Sequence, residues 1–361
     1  PAEVALAARP WGNGARLAVR VSPVSAGGGA LAPQELVLDT GSSTLAFCDS
    51  GLASQVGAAL RTDYMSCNMY NPGGAPTGYW GRFYQGALNV SGGLEFHHAA
   101  YSIMEAEKHM PCTDGFQGIF GVGFRQLDLA FDYADLGPTI GKGCPADPAG
   151  AVVQPFMQEL QREGGPELLG IYWSGAMGDD EGRLYLEGAA RSNPHYSEAA
   201  VVGQARLGEL GYYSVAVQEI AVTSAMGGSW IASGLSCDPE STEAACIMDT
   251  GTPALVVPRG VEQVIADLAQ DGDPAGSVSF SLAGANGGPA VKLSFDLAAL
   301  WRSELIQEGP GDGVILGLPL WSSYYTVFDV REHAVTFVAV GQSAEDAAGQ
   351  RPLDDIAPVH V

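Results

Sequence analysis

Glu35-Leu36-Val37-Leu38-Asp39-Thr40-Gly41-Ser42 decides the reading of this chain, because Cys246-Ile247-Met248-Asp249-Thr250-Gly251-Thr252 repeats its pattern in the second half. In each copy a strand-length apolar run delivers an Asp to a turn inside a packed interior. The Gly lets the backbone turn tightly and brings its N–H towards the carboxylate. The Ser or Thr that follows carries a hydroxyl able to donate to a carboxylate oxygen. One Asp-Thr-Gly is usually only a turn. Two copies, both behind apolar strands and both ending in a hydroxyl residue, point to two carboxylates held in equivalent frames.

Each copy is followed, later in its half, by two bulky apolar residues and a Gly: Ile119-Phe120-Gly121 and Ile315-Leu316-Gly317. The chain therefore reads as two weakly similar lobes. The join is placed at 188–192, after Leu184-Tyr185-Leu186, so that 1–188 carries the first Asp and 189–340 the second. Residues 341–361 turn polar, lose periodicity and read as a tail or linker. Short β-branched or alternating runs bounded by Gly, Pro, Asn and Asp predict strands over 17–24, 35–38, 86–90, 182–186, 212–222, 277–282 and 324–340. Helical spacing is confined to 154–162 and 260–270, the latter placing Val261, Val264, Ile265 and Leu268 on one face after Pro258. The expected class is mostly β with small helices.

Paired lobes bring Asp39 and Asp249 face to face. Two carboxylates at hydrogen-bond distance cannot both ionise comfortably, so they share one proton and titrate as a unit. One can then act as general base on a water while the other protonates a carbonyl oxygen.

With those residues in view, the chain resembles the pepsin-like aspartic proteases along nearly its whole length. Besides the two Asp loops, Ala32-Pro33-Gln34 is similar to the stretch before the family's first active loop. Gly118-Ile119-Phe120-Gly121-Val122-Gly123 is similar to the segment that crosses behind it. Val314-Ile315-Leu316-Gly317 followed by Tyr324-Tyr325-Thr326-Val327-Phe328-Asp329 resembles the family's ending. The resemblance implies a two-lobed β fold with the active site in the cleft between lobes. It also implies endopeptidase activity on polypeptides at acidic pH, inhibition by pepstatin, a monomer, and no cofactor. Asp39 and Asp249 would activate the water, with Ser42 and Thr252 orienting their outer oxygens. Gly41 and Gly251 would permit the loop geometry, and Thr40 and Thr250 would brace the loops across the lobes.

The family has a hairpin flap with a Tyr near its tip. The stretch from Tyr79 to Leu88 aligns with it without gaps, which makes Tyr79 the expected flap tyrosine and Trp80, Gly81 and Tyr84 its companions. Arg82 at the same tip would favour an acidic substrate residue. There are departures. Ala46 stands where most of the family has a Trp that bonds the flap Tyr, as it does in the β-secretases, and Tyr84 is the expected replacement support for Tyr79. Trp80, Arg82 and Phe83 crowd the flap, and Pro253 replaces the usual Ser. A competing class is a non-catalytic binding module on the same fold, resembling the plant xylanase inhibitors, which typically lose part of the Asp, hydroxyl or flap set.

Composition narrows the context. Across 361 residues, 41 acids against 17 Lys and Arg leave a net charge of −24, which repels nucleic acid and anionic membrane surfaces. Such a balance suits an acidic compartment, and equally keeps a protein soluble. No apolar run is long enough to span a membrane, and no signal peptide opens the chain, so a mature or trimmed form is expected, with an inhibitory prosegment possible before Pro1. Cys48, Cys67, Cys112, Cys144, Cys237 and Cys246 form no zinc-ligand spacing. They suit three disulfides and the secretory route, extracellular or to an acidic vacuolar or lysosomal compartment. Sequential pairing (Cys48–Cys67, Cys112–Cys144, Cys237–Cys246) is the expectation. The triplet Asn89-Val90-Ser91 is a glycan acceptor motif consistent with secretion. His97-His98 lacks a third ligand for a metal, Asp179-Asp180-Glu181 reads as a solvated turn, Ser42 and Ser43 have no nominated His base, and Gly27-Gly28-Gly29 lacks the Lys of a phosphate loop.

Overall fold

A computed structural model describes residues 2–12, 14–49, 51–70, 77–108, 112, 115–123, 129–133, 144, 168–208, 211–235, 237–239, 246–270, 276–309 and 311–340. The helix expected over 154–162 and the stretch 341–361 lie outside them. The described chain is mostly β. Among the described residues, no helix is long and apolar enough to cross a membrane.

Strand Gln34–Asp39 runs parallel to Gly118–Gly121, with Val37 opposite Ile119 and Asp39 opposite Gly121. Gly118–Gly121 in turn pairs antiparallel with Leu45–Cys48, the strand that leaves the first Asp loop. The second half repeats the arrangement. Cys246–Met248 lies parallel to Val314–Leu316, Met248 opposite Leu316, and Val314–Leu316 pairs antiparallel with Leu255–Val257. Parallel strands covered on both faces need unbroken apolar character, which is why Leu36, Leu38, Ile247 and Met248 are buried. The repeated hydrophobic-hydrophobic-Gly has a steric cause. A Cβ on Gly121 would sit 2.7 Å from the backbone of Ser43 and Thr44, and one on Gly317 would overlap the carbonyls of Thr252 and Ala254. Each crossing strand can back its Asp loop only through a glycine.

The two halves share backbone hydrogen bonds as well as side-chain contacts. Leu168–Trp173 pairs with Gly178–Leu186 on one side and with Tyr324–Asp329 on the other, so strands from both halves belong to one sheet. The join placed at 188–192 falls on the short turn Glu187–Arg191. There the buried Tyr325 hydroxyl donates to the Ala190 carbonyl at 2.7 Å and accepts from Asn193 at 3.0 Å. A fourfold ionic cluster adds to this frame: Arg9 and Arg20 each bond both Glu35 and Asp179, at 2.6–3.1 Å.

Two strand expectations change in detail. The run 212–222 becomes strand only from Val217, because Ser214 N–H closes a turn onto the Tyr212 carbonyl at 2.8 Å. The run 324–340 is a hairpin, Tyr324–Asp329 and Ala334–Ala339, turned by Asp329 accepting from Glu332 N–H at 3.0 Å. Helix Arg259–Gln270 buries Val261 and Ile265 fully, with Val264 and Leu268 packed beside them.

The disulfides correct the sequential pairing in two of three cases. They are Cys48–Cys112, Cys67–Cys144 and Cys237–Cys246, with Cα separations of 5.8, 5.6 and 5.2 Å. Cys48 ends a strand lying beside Leu94–Lys108, and Cys112 follows that strand closely in sequence. Cys67, by contrast, is on Arg61–Tyr70, three places from Cys48's strand in the sheet order. Three strand spacings come to about 14 Å, roughly twice what a disulfide can bridge.

Candidate active site

Asp39 is the last residue of its strand, and Asp249 follows directly on Met248. Their surroundings match atom for atom. Asp39 Oδ1 accepts from Gly41 N–H at 2.8 Å and Oδ2 from Ser42 Oγ at 2.7 Å. Asp249 Oδ1 accepts from Gly251 N–H at 2.8 Å and Oδ2 from Thr252 Oγ1 at 2.5 Å. Each carboxylate thus has one oxygen held by the turn and the other by a hydroxyl, and the bond spacing leaves it no freedom to rotate.

The two loops are locked to each other. Thr40 N–H donates to Thr250 Oγ1 at 3.0 Å and Thr250 N–H to Thr40 Oγ1 at 2.9 Å. Each hydroxyl passes its own proton across the lobes, Thr40 to the Met248 carbonyl at 2.8 Å and Thr250 to the Leu38 carbonyl at 2.7 Å. Both threonines are wholly buried. Losing either hydroxyl strands a buried partner, which costs about 1–3 kcal/mol per group.

The glycines report how close the carboxylates come. A Cβ on Gly41 would lie 2.8 Å from Asp249 Cγ and Oδ1, and one on Gly251 would lie 2.7 Å from Asp39 Oδ1. Each carboxyl therefore packs against the opposite loop. Burial, and next the facing Asp249 charge, push the Asp39 carboxyl up to about 8, although the Ser42 hydroxyl and Gly41 N–H pull the other way. The pair titrates as a unit, and it holds a proton well above the ordinary carboxylate range.

The hairpin above the dyad is formed by Arg61–Tyr70 and Thr77–Val90. It distributes its aromatics differently from the gapless alignment. Tyr79 is on the returning strand, fully buried against Ala46, Met104 and Ile119, and its hydroxyl accepts from Asn68 Nδ2 at 2.9 Å. Trp80, Arg82 and Phe83 lie within that strand, and Arg82 sits over the Tyr133 ring at 3.4 Å beside Glu105. This placement removes the basis for an acidic substrate preference from Arg82. Gly81 lies where the Ile103–Met104 backbone crosses too close for a Cβ. Tyr84 stacks on Tyr101 at 6.0 Å and accepts from Arg61 Nε at 3.2 Å, packed in a different apolar cluster from Tyr79.

Two tyrosines that the sequence did not nominate face the dyad. Tyr70 ends the outgoing strand, and its buried hydroxyl lies beside Ser42 and Asp39. Burial, then the neighbouring Tyr79 and Asp39, hold that phenol well above its usual range. Tyr212 approaches from the second half, its phenol pushed up by burial and by the charges of Asp39 and Asp249. A Tyr one strand-turn before a Pro-Gly-Gly stretch was the available signal for Tyr70. It was hidden by the better local alignment of Tyr79.

Comparison with solved structures finds a shared fold. The aspartic proteinase from Irpex lacteus superposes with a TM-score of 0.62, over 94% of this chain and 97% of that one. The fold is pepsin-like. Sequence identity across the match is 15%, so the likeness is one of architecture. No family model matches the chain, and no curated protein matches it in sequence.

Proposed function

We propose that this chain is an aspartic endopeptidase, with lobes 1–188 and 189–340 each supplying one catalytic Asp. The observation that carries the reading is the symmetry of the dyad: two carboxylates, each fixed by a Gly N–H and a hydroxyl, packed against each other's loops. A binding module on the same fold has no use for that duplicated set.

The chemistry follows from one shared proton. A water between the carboxylates gives a proton to the ionised member as its oxygen attacks the peptide carbonyl. The protonated member gives its proton to the carbonyl oxygen, so a neutral gem-diol forms and no acyl-enzyme arises. Collapse returns a proton to the leaving nitrogen and breaks the C–N bond. The raised Asp39 pKa keeps the pair singly protonated into the mildly acidic range, where general acid and general base must coexist.

Tyr70, not Tyr79, is the side chain we assign to close over the scissile bond, because its hydroxyl is the one beside Ser42 and Asp39. Tyr212 lines the opposite wall. Substrate binds extended in the cleft, and water exclusion under the hairpin strengthens the carboxylate chemistry. Three disulfides support maturation along an oxidising secretory route.

The test is cleavage of a denatured protein between strongly and mildly acid pH, with and without pepstatin, beside Asp39→Asn. The expected result is pepstatin-sensitive cleavage that the variant lowers by about 1000-fold or more. Tight peptide binding by the folded wild type without any cleavage would reject the reading in favour of a binding module.

A further inference from the structure

Tyr213 touches the supports of both Asp loops. Its hydroxyl, fully buried, donates to the Val122 carbonyl in the first half at 2.9 Å. The same Val122 gives its N–H to the Asp39 carbonyl at 3.0 Å, and the next N–H, of Gly123, goes to the Ser42 carbonyl at 2.7 Å. Two successive peptide units on either side of Val122 therefore clasp the first Asp loop, and the Tyr213 phenol holds the second of them from the other half of the molecule.

The backbone of Tyr213 does the complementary job. Its carbonyl accepts from Met248 N–H at 3.0 Å, one residue before Asp249, and Val215 N–H reaches the Cys246 carbonyl at 3.0 Å. The ring has no room to swing, since Phe328 lies against it with centroids 4.5 Å apart. A continuous span thus runs from the residue before Asp249, through the Tyr213 ring, to Val122, whose N–H grips the Asp39 carbonyl.

We propose that Tyr213 is a positioning residue for the dyad, a cross-lobe strap that sets how closely the Asp39 carboxyl faces Asp249. The proposal rests on the dyad reading above. It is separate from the threonine lock: Thr40 and Thr250 join the loops at their turns, whereas Tyr213 joins the strand behind one loop to the strand leading into the other. A phenol suits the task. Burial raises its pKa, so it stays a donor throughout the acid and neutral range and the strap does not titrate. With the strap cut, the Val122 carbonyl loses its partner, the clasp relaxes and the carboxyls separate. The coupling between them then weakens.

The experiment follows the carboxyl protons directly. Carbon-13 carboxyl NMR titration of Asp39 and Asp249 is run on the wild type, on Tyr213→Phe, and on Phe280→Leu as a destabilised control remote from the dyad. The strap expects the upper apparent pKa of the pair to fall in Tyr213→Phe and to stay put in Phe280→Leu. It also expects kcat to fall about tenfold with KM within twofold, and the alkaline limb of the pH–rate profile to move to lower pH. A folded Tyr213→Phe with a wild-type titration curve overturns the proposal, whether or not the chain cleaves peptides, and loss of cleavage in the wild type speaks only against the protease reading. If Tyr213→Phe does not fold, native-state hydrogen exchange on the wild type decides. The Val122 and Gly123 amides should exchange only with global opening, and exchange at loop rates would overturn the strap.

Discussion

Replacing Gly41 with Ala pushes on the dyad from a known direction. The new Cβ would meet Asp249 Cγ and Oδ1 at 2.8 Å. Ordinary contact begins at 3.4 Å, so the carboxylate must retreat by about 0.6 Å. Gly41 is not among the residues of positive φ, so alanine brings no backbone penalty that would blur the result. Overpacking of this size costs about 1–3 kcal/mol, offset by roughly 0.4–1 kcal/mol from the stiffer unfolded chain. The protein should therefore stay folded. Catalysis is less tolerant, because misplacement by about 1 Å can lower a rate 100-fold. A retreat of this size should lower kcat by about ten- to thirtyfold, on the order of 1.4–2 kcal/mol in barrier. Separation also relieves the Asp249 charge acting on Asp39, so the alkaline limb of the pH–rate profile should shift to lower pH. Steady-state kinetics across pH on a variant with native circular dichroism reads both effects. A folded Gly41→Ala with kcat within twofold of wild type and an unmoved limb would show that the new Cβ does not displace the Asp249 carboxylate.

Other outcomes follow from the same geometry. Ser42→Ala removes a donor that holds Asp39 down, so the Asp39 pKa, already near 8, should rise further; a downward shift by NMR would contradict the hydrogen-bond assignment. Tyr70→Phe should lower kcat/KM about tenfold while Tyr79→Phe changes stability more than activity, and the reverse ranking in peptide assays would return the closing role to Tyr79. Tryptic mapping without reduction should recover Cys48 linked to Cys112 and Cys67 to Cys144; closing loops of 64 and 77 residues, each bridge should contribute roughly 4 kcal/mol by chain entropy. Stability should depend on pH in two opposed ways. Glu35 and Asp179, held low by Arg9 first, contribute stability above their unfolded values of 4.5 and 3.8 that is lost as acid protonates them. Asp39 is raised, so its contribution is full below 3.8 and is lost as pH climbs towards about 8. Asp39→Asn should flatten the decline in melting temperature between pH 5 and 8, and a parallel decline in the variant would show that another group causes it.

How much of this was legible in the chain depends on which residues interact locally. The Asp loops were readable because each carboxylate is bonded by residues two and three positions on, so the motif and the geometry are the same object. Ile119-Phe120-Gly121 was readable as a repeat, though its steric reason, the backbone of Ser43 and Thr44, belongs to a distant segment. The flap was harder. Tyr70 and Tyr79 lie on opposite strands of one hairpin, and which faces the dyad depends on a register that local alignment does not carry. The disulfides failed for a related reason, since sequence order put Cys67 next to Cys48 while the sheet set two strands between theirs. Tyr213 had no signal at all. Its partner is 91 residues away and is a main-chain carbonyl, which no residue type announces.

In the proposed chemistry Asp39 and Asp249 together activate a water for peptide hydrolysis. Its most direct measurement is the rate of cleavage of one synthetic peptide by the wild type and by Asp249→Asn, at the same acidic pH, with folding of the variant verified. Wild-type cleavage should be blocked by pepstatin, and the variant should lose about 1000-fold or more of the rate. Cleavage surviving Asp249→Asn, or indifferent to pepstatin, would contradict that chemistry.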